Sequence, residues 1–283
     1  MTPPIPKKTA LVTGATSGFG FETTRLLAQE GWRVYAGYRN IRKWGPLHEL
    51  SKTMDIHPIY LEVTKPASVK NALRVIRRKE GVLDALVNNA GFVVAGFLED
   101  LSDKDLKAQF DTNVFGLLRV TRESVPLLKL RGGTVVNVGS ISGRVSFPGI
   151  GAYAASKFAV RSLSEGLRQE LRPFDIRVCE VAPGTYATRV VGSTQFGEGT
   201  QKGNSPYASF QKQVEEMVKK EFLKARPASE VAQLILRILK SRRPRPVYMA
   251  GPDAKFMAWL KWLLPDRVFE GVFGSFFPWS KRP

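Results

Sequence analysis

The sequence predicts an α/β fold: a doubly wound parallel sheet with helices on both faces and a C-terminal amphipathic extension. Short apolar segments alternate along the chain with segments of helical spacing, as βαβ units require. Several apolar segments also end in Gly, Asn or Ser, where ligand-binding loops follow the carboxyl ends of parallel strands. The chain has 283 residues, which is enough to bury one large core.

Six apolar segments are predicted as strands in chain order: TALVTG, WRVYAGY, DIHPIYLEV, LDALVNNAG, GGTVVNVGS and DIRVCEVAPG. Helices are expected between and after them, at residues 19–30, 42–54, 68–79, 103–130, 152–171, 209–224 and 229–240. The segment 103–130 is either one long helix or two abutting helices. A seventh strand is expected at PVYMAG.

The predicted organisation is one domain over residues 1–250 and an extension over 251–283. Within the domain, residues 184–226 follow a strand end and begin with many Gly, Ser and Thr residues. We therefore expect a mobile lid over the substrate, with a surface loop of no special role as the alternative.

The tail from Lys255 combines three of the five tryptophans with many phenylalanines and scattered basic residues. This composition suits an amphipathic segment at a membrane surface. A helix that closes the substrate pocket or a subunit interface explains it equally well.

The charge of the chain is strongly positive, with 43 Lys and Arg against 25 Asp and Glu, or +18. Such a surface attracts nucleic acid, anionic lipid or phosphorylated small molecules, or it only keeps the protein in solution. The sequence contains no DNA- or RNA-recognition motif, so no specific nucleic acid partner is expected.

The residue types present also narrow the chemistry. One cysteine, Cys179, rules out an internal disulfide, and two histidines leave little material for a metal site or a Ser-His-Asp triad. No metal is therefore predicted. The sequence shows neither a signal peptide nor a long apolar span, so the expected location is the cytoplasm, with peripheral contact to the inner face of a membrane as an extension.

The first glycine-rich turn is TGATSGFG, Thr13 to Gly20, between a predicted strand and a predicted helix. Glycines let the backbone approach a pyrophosphate, and the helix N-terminus offers N–H groups to it. The residues expected to bind a dinucleotide here are Gly14, Thr16, Ser17, Gly18, Phe19 and Gly20.

The end of the second strand decides between NAD and NADP. An acidic residue there would hold the free 2′-hydroxyl of NAD. The sequence reads AGYRN instead, with Tyr38 at the acid position and Arg39 after it. Arginine suits a 2′-phosphate, so the predicted cofactor is NADP(H). A solvated surface arginine is the alternative.

The segment GIGAYAASKFAV places Tyr153 and Lys157 four residues apart, on one face of a helix. An ammonium about 4 Å from a phenol favours phenolate by roughly 4 kcal/mol at an effective dielectric of about 20, or about three pKa units if burial is ignored. A tyrosine shifted this far could act as an acid or base near neutral pH. Ser140 and Asn113 add a hydroxyl and an amide that could position a carbonyl and a water.

In this order, TGATSGFG, NNAG, Asn113, Ser140, YAASK and PGTYAT resemble the short-chain dehydrogenase/reductase family over residues 9–188. The resemblance implies a Rossmann-type fold and a Ser-Tyr-Lys-Asn catalytic set. Tyr153 would exchange a proton with the substrate oxygen, and Ser140 would bond to that oxygen. Lys157 would lower the tyrosine pKa and hold the nicotinamide ribose, and Asn113 would hold a water that links Lys157 to solvent.

The resemblance also implies further cofactor contacts beyond the glycine-rich turn and the catalytic pair Tyr153 and Lys157. These are Arg39, Asn40, Glu62, Val63, Asn89, Ala90, Gly91, Pro183, Gly184, Tyr186 and Thr188. Two of them depart from the usual pattern. Glu62 stands where the family has aspartate beside the adenine, and Tyr186 stands where a small aliphatic residue touches the nicotinamide carboxamide.

Segments such as SKFAVRSLSEGLRQELRPFDIRV and the tail resemble the subgroup of 17β-hydroxysteroid and retinol dehydrogenases. The predicted function is an NADP(H)-dependent oxidoreductase that interconverts an apolar alcohol and its ketone or aldehyde. The alternative is a nonenzymatic NADPH-binding sensor or scaffold. The family resemblance implies a homodimer or homotetramer, formed through the helices around NVFG and YAASK.

Overall fold

A computed structural model describes residues 7–188, 194–197, 199, 205–208, 210, 213, 216 and 225–275. Its strands, in chain order, are β1 (Thr9–Val12), β2 (Arg33–Tyr38), β3 (Ile56–Tyr60), β4 (Ala85–Asn88), β5 (Val94–Ala95), β6 (Thr134–Val138), β7 (Arg177–Pro183), β8 (Tyr186–Ala187), β9 (Gln195–Phe196), β10 (Arg226–Pro227) and β11 (Val247–Ala250).

The central sheet is parallel throughout and has the order β11-β7-β6-β4-β1-β2-β3. All seven predicted strands lie in it. Two further pairs, β5 with β9 and β8 with β10, lie outside this sheet. Because β1 and β4 are neighbours although the chain passes through β2 and β3 between them, the topological switch point lies beside β1.

The helices, in chain order, are α1 (Gly18–Gln29), α2 (Gly45–Ser51), α3 (Pro66–Glu80), α4 (Asp103–Phe110), α5 (Leu117–Leu128), α6 (Gly151–Leu171), α7 (Ser229–Lys240), α8 (Pro252–Leu263) and α9 (Asp266–Gly274). The side chains of a strand alternate between the two faces of the sheet. Val12 packs in one core with α1 and α7, and Leu11 packs in a second core with α3 and α5. The predicted fold, with helices on both faces, is therefore confirmed.

Two prolines mark local features of the predicted elements. The helix expected over 42–54 is a 3₁₀ turn, Ile41–Lys43, followed by α2 with Pro46 in its first turn. The strand β3 contains Pro58, which a sheet tolerates because β3 is an edge strand.

The segment predicted as one long or two abutting helices divides into three parts. A π-helical segment, Asp111–Gly116, joins α4 to α5. Such segments are rare and often lie at functional sites. This one carries Asn113.

Most of the predicted lid and almost all of the helix predicted over 209–224 lie outside the described residues. The division of the chain at residue 250 remains a prediction. Among the described residues, no helix has both the length and the apolar composition needed to cross a membrane.

Candidate active site

The glycine-rich turn lies directly against the loop after β4. Gly14 has φ +64°, and a Cβ there would come within 3.0 Å of Ala90 Cα. The Asn89 side-chain amide donates to the carbonyl oxygens of Thr13, at 2.9 Å, and Gly14, at 3.1 Å. A Cβ on Gly20 would collide with Asn89 and with the Gly14 carbonyl oxygen. The bare backbone is therefore required for this packing.

The N-terminus of α1 has the features of an anion-binding site. Ser17 precedes α1 in an extended conformation, and its side chain makes no capping hydrogen bond. The first N–H groups of the helix are thus left without a side-chain cap, and they can hold a phosphate. The structure fits the expected dinucleotide pyrophosphate at Gly14 to Gly20.

The loop after β7 meets the same turn from the other side. Thr188 Cβ would lie 3.3 Å from a Cβ on Gly18, and the rings of Tyr186 and Phe19 meet edge to face at 5.6 Å. Tyr186 is buried in this contact. The ring of Tyr186 therefore packs on α1. This packing accounts for a large side chain at this position without a contact to the nicotinamide carboxamide.

The same loop is tied to the C-terminal extension. The backbone N–H of Thr185 donates to the Asp253 carboxylate of α8 at 2.6 Å, and the Gly184 N–H donates to Ala250 O at 3.0 Å. A Cβ on Gly184 would collide with Asp253. Pro183 ends β7 immediately before this loop.

An open cavity of about 620 Å³ lies at the ends of β2 and β3. Its lining consists of Tyr38, Arg39, Asn40, Ile41, Tyr60 and Glu62. The Arg39 side chain is 63% exposed, and its guanidinium lies 3.8 Å from the Glu62 carboxylate. Asn40 Oδ1 accepts a hydrogen bond from the Arg42 N–H at 2.9 Å. Arg39 is therefore free to turn its charge into the cavity, with one acidic neighbour to compete for it.

Tyr153 and Lys157 lie on α6, as predicted, with Lys157 Nζ 5.7 Å from the centroid of the Tyr153 ring. Lys157 is buried and donates to Val138 O, the last residue of β6, at 2.8 Å. Burial lowers the pKa of Lys157 to about 8, and the buried Glu180 opposes this shift.

The pKa of Tyr153 moves opposite to the sequence-based expectation. Burial raises this pKa, and the nearby Ser140 hydroxyl opposes the increase. The expected downward shift took the Lys157 charge into account but left out burial, which disfavours the phenolate. In the structure, Ser140 is the group that lowers the pKa of Tyr153.

Ser140 begins the 3₁₀ turn Ile141–Gly143, and its Oγ accepts from the Ser142 N–H at 3.1 Å. Asn113 connects the loop after β4 to α6. Its Nδ2 donates to Phe92 O and to Ser156 Oγ, both at 3.1 Å, and its Oδ1 accepts from the Phe92 N–H. Because both Nδ2 hydrogens are used, a water held by Asn113 would have to donate to an oxygen of this residue.

The remaining predicted cofactor residues line the same edge. Gly91 lies against Asn113, since a Cβ there would be 3.1 Å from Asn113 Oδ1. Val63 is buried beside Gly116, and Glu62 accepts from Thr64 Oγ1 at 3.0 Å. Thr16 lies partly buried in the glycine-rich turn. The predicted positions thus meet along one edge of the sheet.

A buried ion pair behind this site has no counterpart in the sequence analysis. Both Arg144 side-chain nitrogens Nη1 and Nη2 donate to Glu180, at 3.0 and 2.8 Å. The Glu180 side chain is 1% exposed and lies against Gly139, next to Ser140. The available signal was the charged residue in the buried strand IRVCEVAP, because a buried carboxylate requires a partner.

The sequence analysis also did not predict a buried hydrogen-bond network of asparagine, threonine and serine side chains. Asn88 Nδ2 donates to Thr121 Oγ1 and to Asn137 Oδ1, both at 2.9 Å. Asn137 Nδ2 donates to Ser164 Oγ at 2.9 Å. The network links β4, β6, α5 and α6 and so fixes the elements that carry the site. The sequence feature that could have indicated this network was the presence of asparagines within apolar strands, because a buried polar side chain needs a hydrogen-bond partner.

The described part of the predicted lid contacts the loop that follows NNAG. The rings of Tyr207 and Phe97 stack at 4.4 Å, and the Tyr207 hydroxyl donates to Glu99 at 2.8 Å. The adjacent Leu98 lies against Gly151, two residues before Tyr153. An apolar side chain of this loop therefore lies beside the start of α6, close in sequence to the tyrosine.

The family model described as "short chain dehydrogenase" matches residues 8–198. Curated relatives include a 3-ketodihydrosphingosine reductase of Bacteroides thetaiotaomicron, 32% identical, with 94% of this chain and 97% of the relative covered. An NADPH-dependent 1-acyldihydroxyacetone phosphate reductase of Saccharomyces cerevisiae is 34% identical, with 94% and 89% covered. Retinol dehydrogenase 16 of Rattus norvegicus is 33% identical, with 93% and 87% covered.

Solved structures agree. A short-chain dehydrogenase from Streptomyces avermitilis has a TM-score of 0.81 at 30% identity, with 97% of this chain and 98% of that chain covered. One from Burkholderia phymatum, in complex with NAD, has a TM-score of 0.78 at 24% identity, with 90% and 92% covered, and shows the shared fold. The chain therefore belongs to the short-chain dehydrogenase/reductase family of oxidoreductases and resembles its retinol and hydroxysteroid dehydrogenases.

Proposed function

We propose that this protein is an NADP(H)-dependent oxidoreductase that interconverts an apolar alcohol and its ketone or aldehyde. The observation that carries the proposal is the face of α6 that holds both Tyr153 and Lys157, with Lys157 Nζ 5.7 Å from the centroid of the Tyr153 ring. Ser140 lies near enough to this face to oppose the effect of burial on the Tyr153 pKa. A phenol and a hydroxyl that lie near each other in this way can both reach one substrate oxygen.

Each residue has a distinct part in reduction. Tyr153 gives its proton to the substrate oxygen as negative charge develops there, and Ser140 donates a second hydrogen bond to the same oxygen. The bound nicotinamide would supply the hydride in reduction and take it up in oxidation. In oxidation, Tyr153 removes the hydroxyl proton.

Lys157 is suited to restoring the tyrosine proton. With a pKa of about 8, its ammonium can release a proton near neutral pH. Its bond to Val138 O holds Nζ beside β6, on the same helix face as Tyr153. Asn113, which bonds to Ser156 of α6, holds the helix against the loop after β4 and would bind the water that connects Lys157 to solvent.

NADP(H) is the proposed cofactor because of the cavity at Arg39. A 2′-phosphate there would gain charge-assisted hydrogen bonds from an exposed guanidinium. Among the described residues that line the cavity, Glu62 is the one carboxylate, and it already lies near Arg39. The acidic residue that would favour NAD is replaced by Tyr38. The NADPH dependence named for the yeast relative agrees with this choice.

An apolar substrate is proposed from the surroundings of Tyr153. Leu98 lies against Gly151 at the start of α6, and its neighbour Phe97 stacks on Tyr207. Phe147 of the loop after Ser140 meets Phe273 of α9 at 5.3 Å. The relatives named above act on sphingoid, acyl and retinoid compounds by their names. A long apolar chain beside the carbonyl is therefore the substrate class to test first.

The proposed assembly is a homodimer or homotetramer formed through α5 and α6. Phe115, at the junction to α5, and Phe158 of α6 are exposed aromatic side chains on these elements. A second copy would remove them from water. Light scattering should give a multiple of 31.5 kDa, and Phe158→Arg should lower it, whereas Leu130→Arg, at an exposed turn, should not. A monomeric wild-type protein would contradict this assembly.

The direct test of the function is NADPH oxidation with a panel of long-chain ketones, sphingoid ketones and retinal, followed by absorbance. We expect turnover with at least one apolar carbonyl compound and weak turnover with short polar ones. A protein that binds NADPH but turns over nothing in the panel, in either direction, would favour the sensor or scaffold alternative.

A further inference from the structure

The helix α8 presents a row of large apolar side chains to solvent. Phe256, Trp259 and Leu263 are each at least 50% exposed, and Trp262 is 80% exposed. Their spacing places them within one side of the helix. We call these four residues the aromatic face. An exposed apolar cluster of this size is unusual on a protein surface and marks an interaction site.

The opposite side of the α8–α9 pair already packs on the body of the protein. Ala254 and Phe269 are buried, and Phe269 stacks on Phe273 at 5.3 Å. Phe273 meets Phe147, in the loop between Ser140 and Tyr153. The attachment of the extension therefore uses residues other than the aromatic face, which is left with no role in the core.

The charged residues around the aromatic face indicate what kind of surface it contacts. Two of the three acidic groups of α8 and α9 are engaged: Asp253 accepts from the Thr185 N–H, and Asp266 pairs with Lys261 at 2.6 Å. The third, Glu270, is exposed. Lys255 is exposed on the aromatic side of α8, and Arg267 is exposed at the start of α9. The whole chain carries +18. An anionic surface attracts a chain of this charge.

We propose that the aromatic face of α8 docks on an anionic lipid bilayer. Tryptophan and phenylalanine side chains enter the boundary between headgroups and acyl chains, and nearby cations contact the headgroups. The docking holds the α8–α9 pair, with the loop of Phe147 packed behind it, near the membrane. Delivery of an apolar substrate from the bilayer is a consequence that rests on the proposed function. The docking itself does not depend on that function.

The test is cosedimentation of the full chain with two kinds of vesicle, phosphatidylcholine alone and phosphatidylcholine with about one third phosphatidylserine. We expect at least tenfold stronger partitioning onto the anionic vesicles, and quenching of tryptophan fluorescence by brominated acyl chains. The double substitution Trp259→Gln and Trp262→Gln should reduce partitioning at least tenfold and abolish the extra quenching.

The matched control is Leu130→Gln with Phe174→Gln, which removes two exposed apolar side chains elsewhere and should leave partitioning unchanged. Unfolding midpoints of all variants verify that each is folded. Absence of wild-type binding, or equal binding by the Trp259/Trp262 variant, would overturn the proposal. So would a drop in oligomeric mass caused by that variant without lipid, because the face would then be an interface between copies.

Discussion

Arg144 and Glu180 form a buried, two-pronged ion pair between the loop after Ser140 and the strand β7. Glu180 also faces Lys157, whose pKa it raises against the effect of burial. The pair thus supports the loop that carries Ser140 and tunes the charge of the lysine. It is a positioning pair, since it acts through Ser140 and Lys157.

Replacing Glu180 with glutamine should leave the Arg144 charge buried without its counter-charge. We expect a loss of about 3 kcal/mol in the free energy of unfolding, measured with urea. Glu165→Gln, on the exposed side of α6, removes the same charge from a surface pair and should cost less than about 1 kcal/mol. Equal losses in the two variants would contradict the buried pair's role.

The same variant should alter the pH dependence of the reaction. Without Glu180 the pKa of Lys157 falls further below about 8, because burial is no longer opposed. The apparent pKa in the profile of kcat/KM that reports Lys157 should therefore move to lower pH. A purely structural role for Glu180 would lower stability and leave the profile in place.

The depressed pKa of Lys157 predicts how stability changes with pH. The folded pKa is about 8 and the ordinary value is 10.5, so between these values the unfolded chain binds more protons and stability rises with pH. The cost of burying the ammonium is complete below pH 8 and disappears above the ordinary value. Lys157→Met removes this dependence.

The measurement is urea unfolding of the wild type and Lys157→Met without added cofactor, at pH 7.5 and 10. The stability difference between the two proteins should change by about 2 kcal/mol over this range, with the wild type gaining at high pH. Lys255→Met, which removes an exposed ammonium, should show no such change. A constant difference for Lys157→Met would contradict a buried charged lysine.

Cofactor preference should depend on Arg39. In Arg39→Ala, the loss of charge-assisted bonds to the 2′-phosphate should cost about 2 kcal/mol, or roughly thirtyfold in kcat/KM for NADPH. The value for NADH should be almost unchanged, since it lacks that phosphate. Arg78→Ala on the exposed side of α3 makes the same change in net charge and should affect neither cofactor. A higher wild-type kcat/KM with NADH would refute the assignment.

The sequence predicts those elements of the fold whose residue pattern lies within one short segment. The strands were predictable because a parallel sheet buried on both faces needs continuous apolar segments such as ALVN and TVVNV. The split of residues 103–130 was not, because the π-helical segment holds Asn113 against Phe92 and Ser156, and these contacts join residues far apart in the sequence.

In the site, too, features within one local segment were predictable and features that depend on distant segments were not. The Tyr153–Lys157 spacing and the glycine-rich turn follow from the sequence, since one helix and one turn contain them. The direction of the Tyr153 pKa shift does not follow, because it depends on burial and on the distance to Ser140. The partner of Glu180 likewise comes from another segment, and only its burial in β7 could have indicated that a partner exists.

The central claim is that Tyr153 transfers the proton, and Tyr153→Phe tests it most directly. The measurement is single-turnover oxidation of bound NADPH with a ketone that the wild type reduces, together with NADPH affinity by fluorescence titration. Tyr248→Phe, which removes a hydroxyl at the start of β11, is the matched control. The account predicts a fall in rate of at least about a hundredfold for Tyr153→Phe with unchanged affinity. A rate within about threefold of the wild type, at full NADPH occupancy, would contradict it.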